Sequence, residues 1–188
     1  MRVDLIREKG RAVFYDEAER LRISVPDEDC LGIVKIGEIS SRVGLDDCRN
    51  GIQSPRFGQS IPELVAKTSA KSASVIISDA TRGVPTHLAA GHIIRELVHS
   101  GIALEKILFV VALGVHRDAT KEEMRASIGD EFFGKVRVEN HTPYDDGNLC
   151  LLGTTSRGTP VEVNRRAYEC DLHLSIGKVE PQIGRAHV

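Results

Sequence analysis

The chain has 188 residues, enough for one domain with a sizeable core. Its formal net charge of −2 leaves no positive excess for nucleic acid or an anionic membrane, and an apolar fraction of 41% is that of an ordinary soluble composition. No apolar run approaches the roughly 20 residues that span a bilayer, and Met1-Arg2-Val3-Asp4 is not followed by the apolar stretch of a secretory signal, so a cytoplasmic protein is expected.

In chain order, residues 1–60 read as a β-rich or irregular lead-in. Leu21-Arg22-Ile23-Ser24-Val25 alternates apolar and polar as a half-buried strand does, and Pro26-Asp27 ends it. Leu31 to Ile36 is a second, shorter strand candidate. Asn50-Gly51 and Ser54-Pro55 read as turns. Ile61 to Ser69 is predicted helical, with Ser60 as N-cap, Pro62 in the first turn and Glu63 close behind. Ser74 to Ser78 is apolar and β-branched, the mark of a strand buried on both faces. A helix beginning near Pro85 follows, with Ala90, Ile93, Ile94 and Leu97 on one stripe and Ser100-Gly101 as its stop. Ile107 to Val111 is the next buried strand. Thr120 with Glu123 forms a capping box that starts another helix.

That strand–helix–strand–helix order implies parallel pairing. Lys135 to Glu139 is a further strand candidate. Leu149 to Leu152 and Thr159 to Val163 suit a hairpin around Ser156-Arg157-Gly158, and Leu172 to Ile176 is the last strand. The expected fold is α/β: a Rossmann-like, mostly parallel sheet flanked by helices. Cys30, Cys48, Cys150 and Cys170 form no C-x-x-C pair, so reduced thiols are expected.

Two clusters carry the chemistry. Ser78-Asp79-Ala80-Thr81-Arg82-Gly83 follows the first buried strand, and Gly114-Val115-His116-Arg117-Asp118 follows the second. Open α/β sheets bind ligands at that edge, beyond the carboxyl ends of their strands. Amides at the start of the following helix and the Thr81 hydroxyl offer an anion site. Arg82 suits a bidentate grip on a carboxylate or phosphate. Asp79 can orient a histidine or a ligand hydroxyl; equally, Asp79 and Thr81 can simply satisfy turn amides. His116, on a strand-to-helix loop, is placed to act as a general base or to be a surface loop residue. Of the other histidines, His141 is the next candidate. His87, His92 and His99 share a helix without metal-pair spacing, and His173 reads as a strand residue. No zinc-protease, P-loop or serine-hydrolase motif occurs.

In this order, Asp79-x-Thr81-Arg82, Gly114-x-His116-Arg117 with Thr120 and Glu123, Asn140-His141, Gly158-Thr159-Pro160-Val161 and Ile176-Gly177-x-Val179-Glu180-Pro181 resemble the N-terminal domain of the nickel-pincer lactate racemases. The resemblance runs from about Leu21 to Pro181. It implies an isomerase of small 2-hydroxy acids that uses a nickel-pincer nucleotide. The substrate's Cα hydride passes to that cofactor, leaving a planar 2-keto acid, and returns to either face. Two histidines on opposite sides serve as proton carriers. Carried over by motif, Asp79, Ala80, Thr81 and Arg82 contact the cofactor, with Arg82 also near the substrate carboxylate, and His116 is the first catalytic histidine. No nickel ligand is assigned among these residues.

The family's second catalytic histidine follows Glu-Pro, whereas here Glu180-Pro181 precedes Gln182, whose amide cannot carry a proton near neutral pH. The cofactor-linked lysine, a nickel-binding histidine and the C-terminal domain that closes the cleft have no counterpart in these 188 residues. The resemblance therefore implies an incomplete N-terminal domain over 1–182, expected to be inactive alone and to partner the C-terminal domain of the same gene product. Residues 183–188, Ile-Gly-Arg-Ala-His-Val, correspond to a translated sequencing adapter, ATC GGA AGA GCA CAC GTC, so 183–188 read as a non-native tail and Gln182 as a substitute for histidine. Two other readings stand beside this one: an epimerase of other sugar or 2-hydroxy acids with the same cofactor, and a non-catalytic α/β small-ligand module. Genomic DNA read through codon 182 should show a histidine codon and an open frame beyond codon 188; a stop directly after Val188 would refute the adapter origin.

Overall fold

A computed structural model describes residues 3–16, 20–30 and 44–178. The chain divides into two compact units, residues 1–42 and 43–188. In the first, β1 (Val3–Glu8), β2 (Arg11–Asp16) and β3 (Leu21–Pro26) form an antiparallel sheet in that order. Lys9-Gly10 joins β1 to β2 with φ of 51° and 72°. Two consecutive positive φ angles match the right-handed twist of the flanking strands. The strand candidate Leu31 to Ile36 lies outside the described residues.

The second unit begins with α1 (Leu45–Gln53) and α2 (Ile61–Thr68). Asn50-Gly51, expected to be a turn, lies inside α1. Local propensity is overridden there: Asp46 and Asp47 sit at the positive end of the helix, the Gly44 amide donates to Asp47 Oδ2 at 2.9 Å, and the Gln53 amide donates to Glu96 Oε1 at 2.8 Å. Ser60 and Glu63 cap α2 as expected, the Ser60 amide donating to Glu63 Oε2 at 2.7 Å.

The centre follows as β4 (Ala73–Ser78), α3 (Thr86–His99), β5 (Ile107–Ala112), α4 (Lys121–Ile128) and β6 (Arg137–Asn140). Then come β7 (Leu149–Thr154), β8 (Pro160–Asn164), α5 (Arg165–Tyr168) and β9 (Leu172–Ile176). β7 and β8 form the expected antiparallel hairpin. The other four strands make one parallel sheet, ordered β6-β5-β4-β9. β6 starts two residues later than the pattern suggested, because the amides of Lys135 and Val136 are held in a turn by the carbonyl of Phe132. Pro85 precedes the first turn of α3 rather than occupying it.

Successive residues of the central strands point to opposite faces. Val75, Ile77, Phe109 and Val111 join Ala90, Ile93, Ile94 and Leu97 of α3, Ile61 and Val65 of α2, and Ile128 of α4 in the main core. Leu108 and Val110 face the other way, against Ala167 of α5. The strands are thus buried on both sides, as their unbroken apolar runs required. Cys30, Cys48, Cys150 and Cys170 are free. Among the described residues, no helix is long and apolar enough to cross a membrane.

Ile94 is fully buried in the stripe that α3 presents to the sheet. Ile94→Ala should lower unfolding free energy by about 2–5 kcal/mol, the usual range for emptying such a site. Urea denaturation followed by circular dichroism measures it; a loss under about 1 kcal/mol would mean that this stripe is not core.

Candidate active site

The register of the parallel pair builds the site. Ser78 lies opposite Ala112, so β4 and β5 end level with each other. Asp79 and Leu113 are the next residues on each strand and leave the sheet side by side. Ile77 pairs with Ile176, so β9 ends at the same rim.

Asp79 caps a single 3-10 turn, Ala80–Arg82. Its Oδ1 accepts from the Thr81 amide at 2.7 Å and from the Thr81 hydroxyl, and its carbonyl accepts from the Arg82 amide at 3.2 Å. Gly83, at φ 59°, ends the turn. In the second loop the His116 amide donates to the Leu113 carbonyl at 3.0 Å, with Gly114 at φ +60° inside that turn.

The two loops meet through His116 Nδ1, 2.8 Å from Asp79 Oδ2. The Asp79 side chain is 6% exposed and that of His116 is 39%. Burial pushes the Asp79 carboxyl up, but hydrogen bonds from the Thr81 hydroxyl, His116 and the Thr81 amide together outweigh it, and its pKa is lowered. An ionised carboxylate only accepts, so Nδ1 donates to Asp79, and Nε2 makes no hydrogen bond among the described residues. Thr81 Oγ1, 3.3 Å from Nδ1, completes the cluster. This arrangement can take a proton at Nε2 and stabilise the resulting imidazolium through Asp79.

Glu123 holds the next residue. Arg117 donates through Nη1 and Nη2 to Glu123 Oε2 and Oε1 at 2.8 and 2.6 Å, a planar two-bond grip. Glu123 also accepts from the Thr120 amide at 2.8 Å while its own amide donates to Thr120 Oγ1 at 3.2 Å, so the same carboxylate caps α4. The Arg117 guanidinium and the Thr120 amide bring the Glu123 carboxyl down to about 2. Asp79, Ala80, Thr81, Leu113, His116, Arg117, Ala119 and Glu123 line a cleft of about 20 Å³, room for little more than one water.

Asp79, Ala80, Thr81 and His116 therefore come together as the sequence suggested. Arg82 does not: it is exposed and outside the cleft lining. The expected anion site also changes. The Thr81 and Arg82 amides and the Thr81 hydroxyl are already committed to Asp79, and α3 starts only at Thr86. The two readings of Asp79 are both realised, one oxygen serving the turn and the other the histidine.

His141 does not line the cleft; its Nδ1 faces the Asn164 amide nitrogen at 3.4 Å. His173 Nδ1 is 2.9 Å from Ser74 Oγ, and its ring stacks on Tyr168. A larger groove, about 620 Å³, lies elsewhere, lined by His87, Lys121, Glu122, Arg125, Ala126, Gly129, Asp130 and Phe133. The carboxylate–imidazole pair marks the smaller cleft as the chemical one. The sequence pattern missed Arg117 and Glu123 as lining residues. Their signal was the capping box itself, which fixes a carboxylate at the helix start.

The family described as the lactate racemase N-terminal domain matches residues 15–184. The chain belongs to this family. A lactate racemase from Thermoanaerobacterium thermosaccharolyticum is 27% identical over 165 residues, 86% of this chain and 38% of that protein. One from Lactiplantibacillus plantarum is 32% identical over 106 residues, covering 56% of this chain and 25% of that one. The solved structure of the lactate racemase apoprotein from Thermoanaerobacterium thermosaccharolyticum shares the fold, with a TM-score of 0.68 at 24% identity over 88% of this chain and 38% of its own. A Thermotoga maritima protein superposes with a TM-score of 0.55 at 22% identity over 71% of this chain and 33% of its own. The chain thus spans well under half the length of these relatives.

The lowered carboxyls give a pH signature. Asp79 and Glu123 contribute stability that is full above the ordinary carboxylate range and is lost as pH falls through their folded values, for Glu123 toward about 2. Glu123→Gln should therefore flatten the acid limb of the stability–pH curve below pH 4.5. Urea midpoints measured between neutral pH and pH 2 check it; an unchanged limb would separate Glu123 from this linkage.

Proposed function

We propose that this chain is the amino-terminal, cofactor-contacting part of a racemase or epimerase of small 2-hydroxy acids. The single observation that carries the reading is the Asp79–His116 pair, closed at 2.8 Å on the carboxyl rim of β4 and β5, in a member of the lactate racemase N-terminal domain family. His116 Nε2 is placed to take the proton of a substrate hydroxyl and to give it back. Asp79 holds the ring in the tautomer that allows this and offsets the positive charge that forms.

The family resemblance supplies the rest of the proposal, a nickel-pincer nucleotide. When bound, that group supplies an electrophilic centre able to accept and return hydride. For its anionic part the residues present offer Arg82, the Thr81 and Arg82 amides being committed to Asp79. The Arg82 guanidinium is exposed beside the Asp79 turn, suited to a phosphate or a substrate carboxylate. Among the described residues no three His, Cys, Asp or Glu side chains converge, and the nickel-binding histidine that the resemblance implies has no counterpart in this chain. Nickel ligands and a second proton carrier for the opposite enantiomer would come from the portion of the longer racemases that this chain does not span, or from a histidine at 182. On this reading the 188 residues alone have little or no turnover.

Produced with the cofactor-synthesis enzymes, the complete gene product should hold stoichiometric nickel and interconvert enantiomers of a 2-hydroxy acid. There, His116→Ala should lower turnover at least about a hundredfold. Arg82→Lys, which keeps charge but loses the planar fork, should mainly raise KM. Metal analysis and chiral chromatography read both. Nickel-free protein that binds organic acids tightly would instead support the non-catalytic module.

A further inference from the structure

The His116 loop is held at a second point, away from Asp79. Asn140 is the last residue of β6, and its backbone pairs with Val111 of β5 at the end of the ladder. On the β6 side the ladder ends there, with the His141 amide donating to the Val111 carbonyl at 3.0 Å, while β5 runs one residue further, to Ala112 opposite Ser78, before the His116 loop. The Asn140 side chain takes over. Its Nδ2 donates to the Ala119 carbonyl at 3.1 Å, and its Oδ1 accepts from the Ala119 amide at 3.2 Å. A carboxamide is planar and carries one donor and one acceptor side by side, as a peptide unit does. Here it acts as one extra rung of sheet, laid against the loop three residues after His116.

We propose that Asn140 is a positioning residue for the Asp79–His116 pair, fixing the loop through Ala119 so that Nδ1 stays directed at the carboxylate. The loop is then pinned by the Leu113 carbonyl at its start, by Glu123 at Arg117, by Asn140 at Ala119, and by the Thr120–Glu123 box at its end. Without the Asn140 pin, the segment from Val115 to Ala119 keeps its ends, His116 and the Arg117–Glu123 grip, but the Ala119 peptide groups lose both of their side-chain hydrogen bonds. The requirement is chemically narrow. Aspartate keeps the acceptor but sets a negative oxygen against the Ala119 carbonyl. Alanine removes both partners. Glutamine carries the same groups one methylene too far. The proposal rests on the reading of His116 above for its functional meaning, but its geometry can be tested without turnover.

Nitrogen-15 spectra of the labelled 188-residue chain report the His116 tautomer, and amide exchange reports Ala119. In the wild type, Ala119 should exchange at least about tenfold more slowly than an unstructured peptide, and His116 should carry its proton on Nδ1. Asn140→Ala and Asn140→Asp should each release Ala119 to near-peptide exchange and turn the His116 tautomer into a mixture. Asp171→Asn is the control. Asp171 Oδ2 accepts from the Lys71 and Ser72 amides at 2.8 and 3.0 Å, so this variant removes the charge from a clamp elsewhere, weakens it, and should leave His116 unchanged. A His116 tautomer unaltered in both Asn140 variants would overturn the proposal, as would one altered equally by Asp171→Asn. Free exchange of Ala119 in the wild type would overturn it as well, and needs no variant to fold. Failure of the racemase reading would appear as absent nickel or absent turnover with these spectroscopic results intact.

Discussion

The carboxylate of Asp79 is the junction on which the rim of the sheet depends. One oxygen closes the turn that follows β4, and the other holds the imidazole that follows β5. The Thr81 hydroxyl, 3.3 Å from His116 Nδ1, adds a second, longer link between the same two loops. Burying a carboxylate is costly unless donors surround it. Here the donors do more than repay burial, because they are also the groups whose positions matter. The acid stays ionised, and its ionisation assigns the proton on His116.

The rest of the unit serves to bring those donors within reach. Parallel strands of equal length finish level, and the side-by-side burial of Phe109, Val111, Val75 and Ile77 under α3 fixes that level. A slip of one residue between β4 and β5 would move every apolar side chain to the wrong face. The site's register and the core's packing are therefore one constraint. Glu123 and Asn140 extend it outward, tying the loop after β5 to α4 and to β6.

Long apolar runs and capping pairs made the central unit legible in the sequence. Val75 to Ile77 and Ile107 to Val111 could only be strands buried on two faces, and the Ser60–Glu63 and Thr120–Glu123 boxes located helix starts. The loops that follow adjacent strands could be placed on one rim from topology alone. What was not legible depends on contacts distant in sequence. Asn50-Gly51 is a turn by local preference and a helix because α1 packs on α3. Arg82 and Arg117 are equivalent as letters. Only the fold shows that Glu123 holds one at the edge of the cleft while the other lies outside its lining, although both are exposed. The divided use of the two Asp79 oxygens was likewise invisible, since sequence offers the donors but not their directions.

Gly114 illustrates how function and backbone geometry can be confused. It sits two residues before His116 at φ +60°, and a Cβ there would meet nothing within 4 Å. Space is therefore no obstacle to a larger residue. The obstacle is the left-handed backbone, which costs most residues about 1–2 kcal/mol and asparagine less. A mutational scan would accordingly find position 114 intolerant in a pattern ranked by torsional preference, with asparagine ahead of alanine and valine last. Read by proximity alone, that intolerance would be credited to catalysis; ranked by residue type, it identifies a hinge-shaped peptide whose task is purely steric.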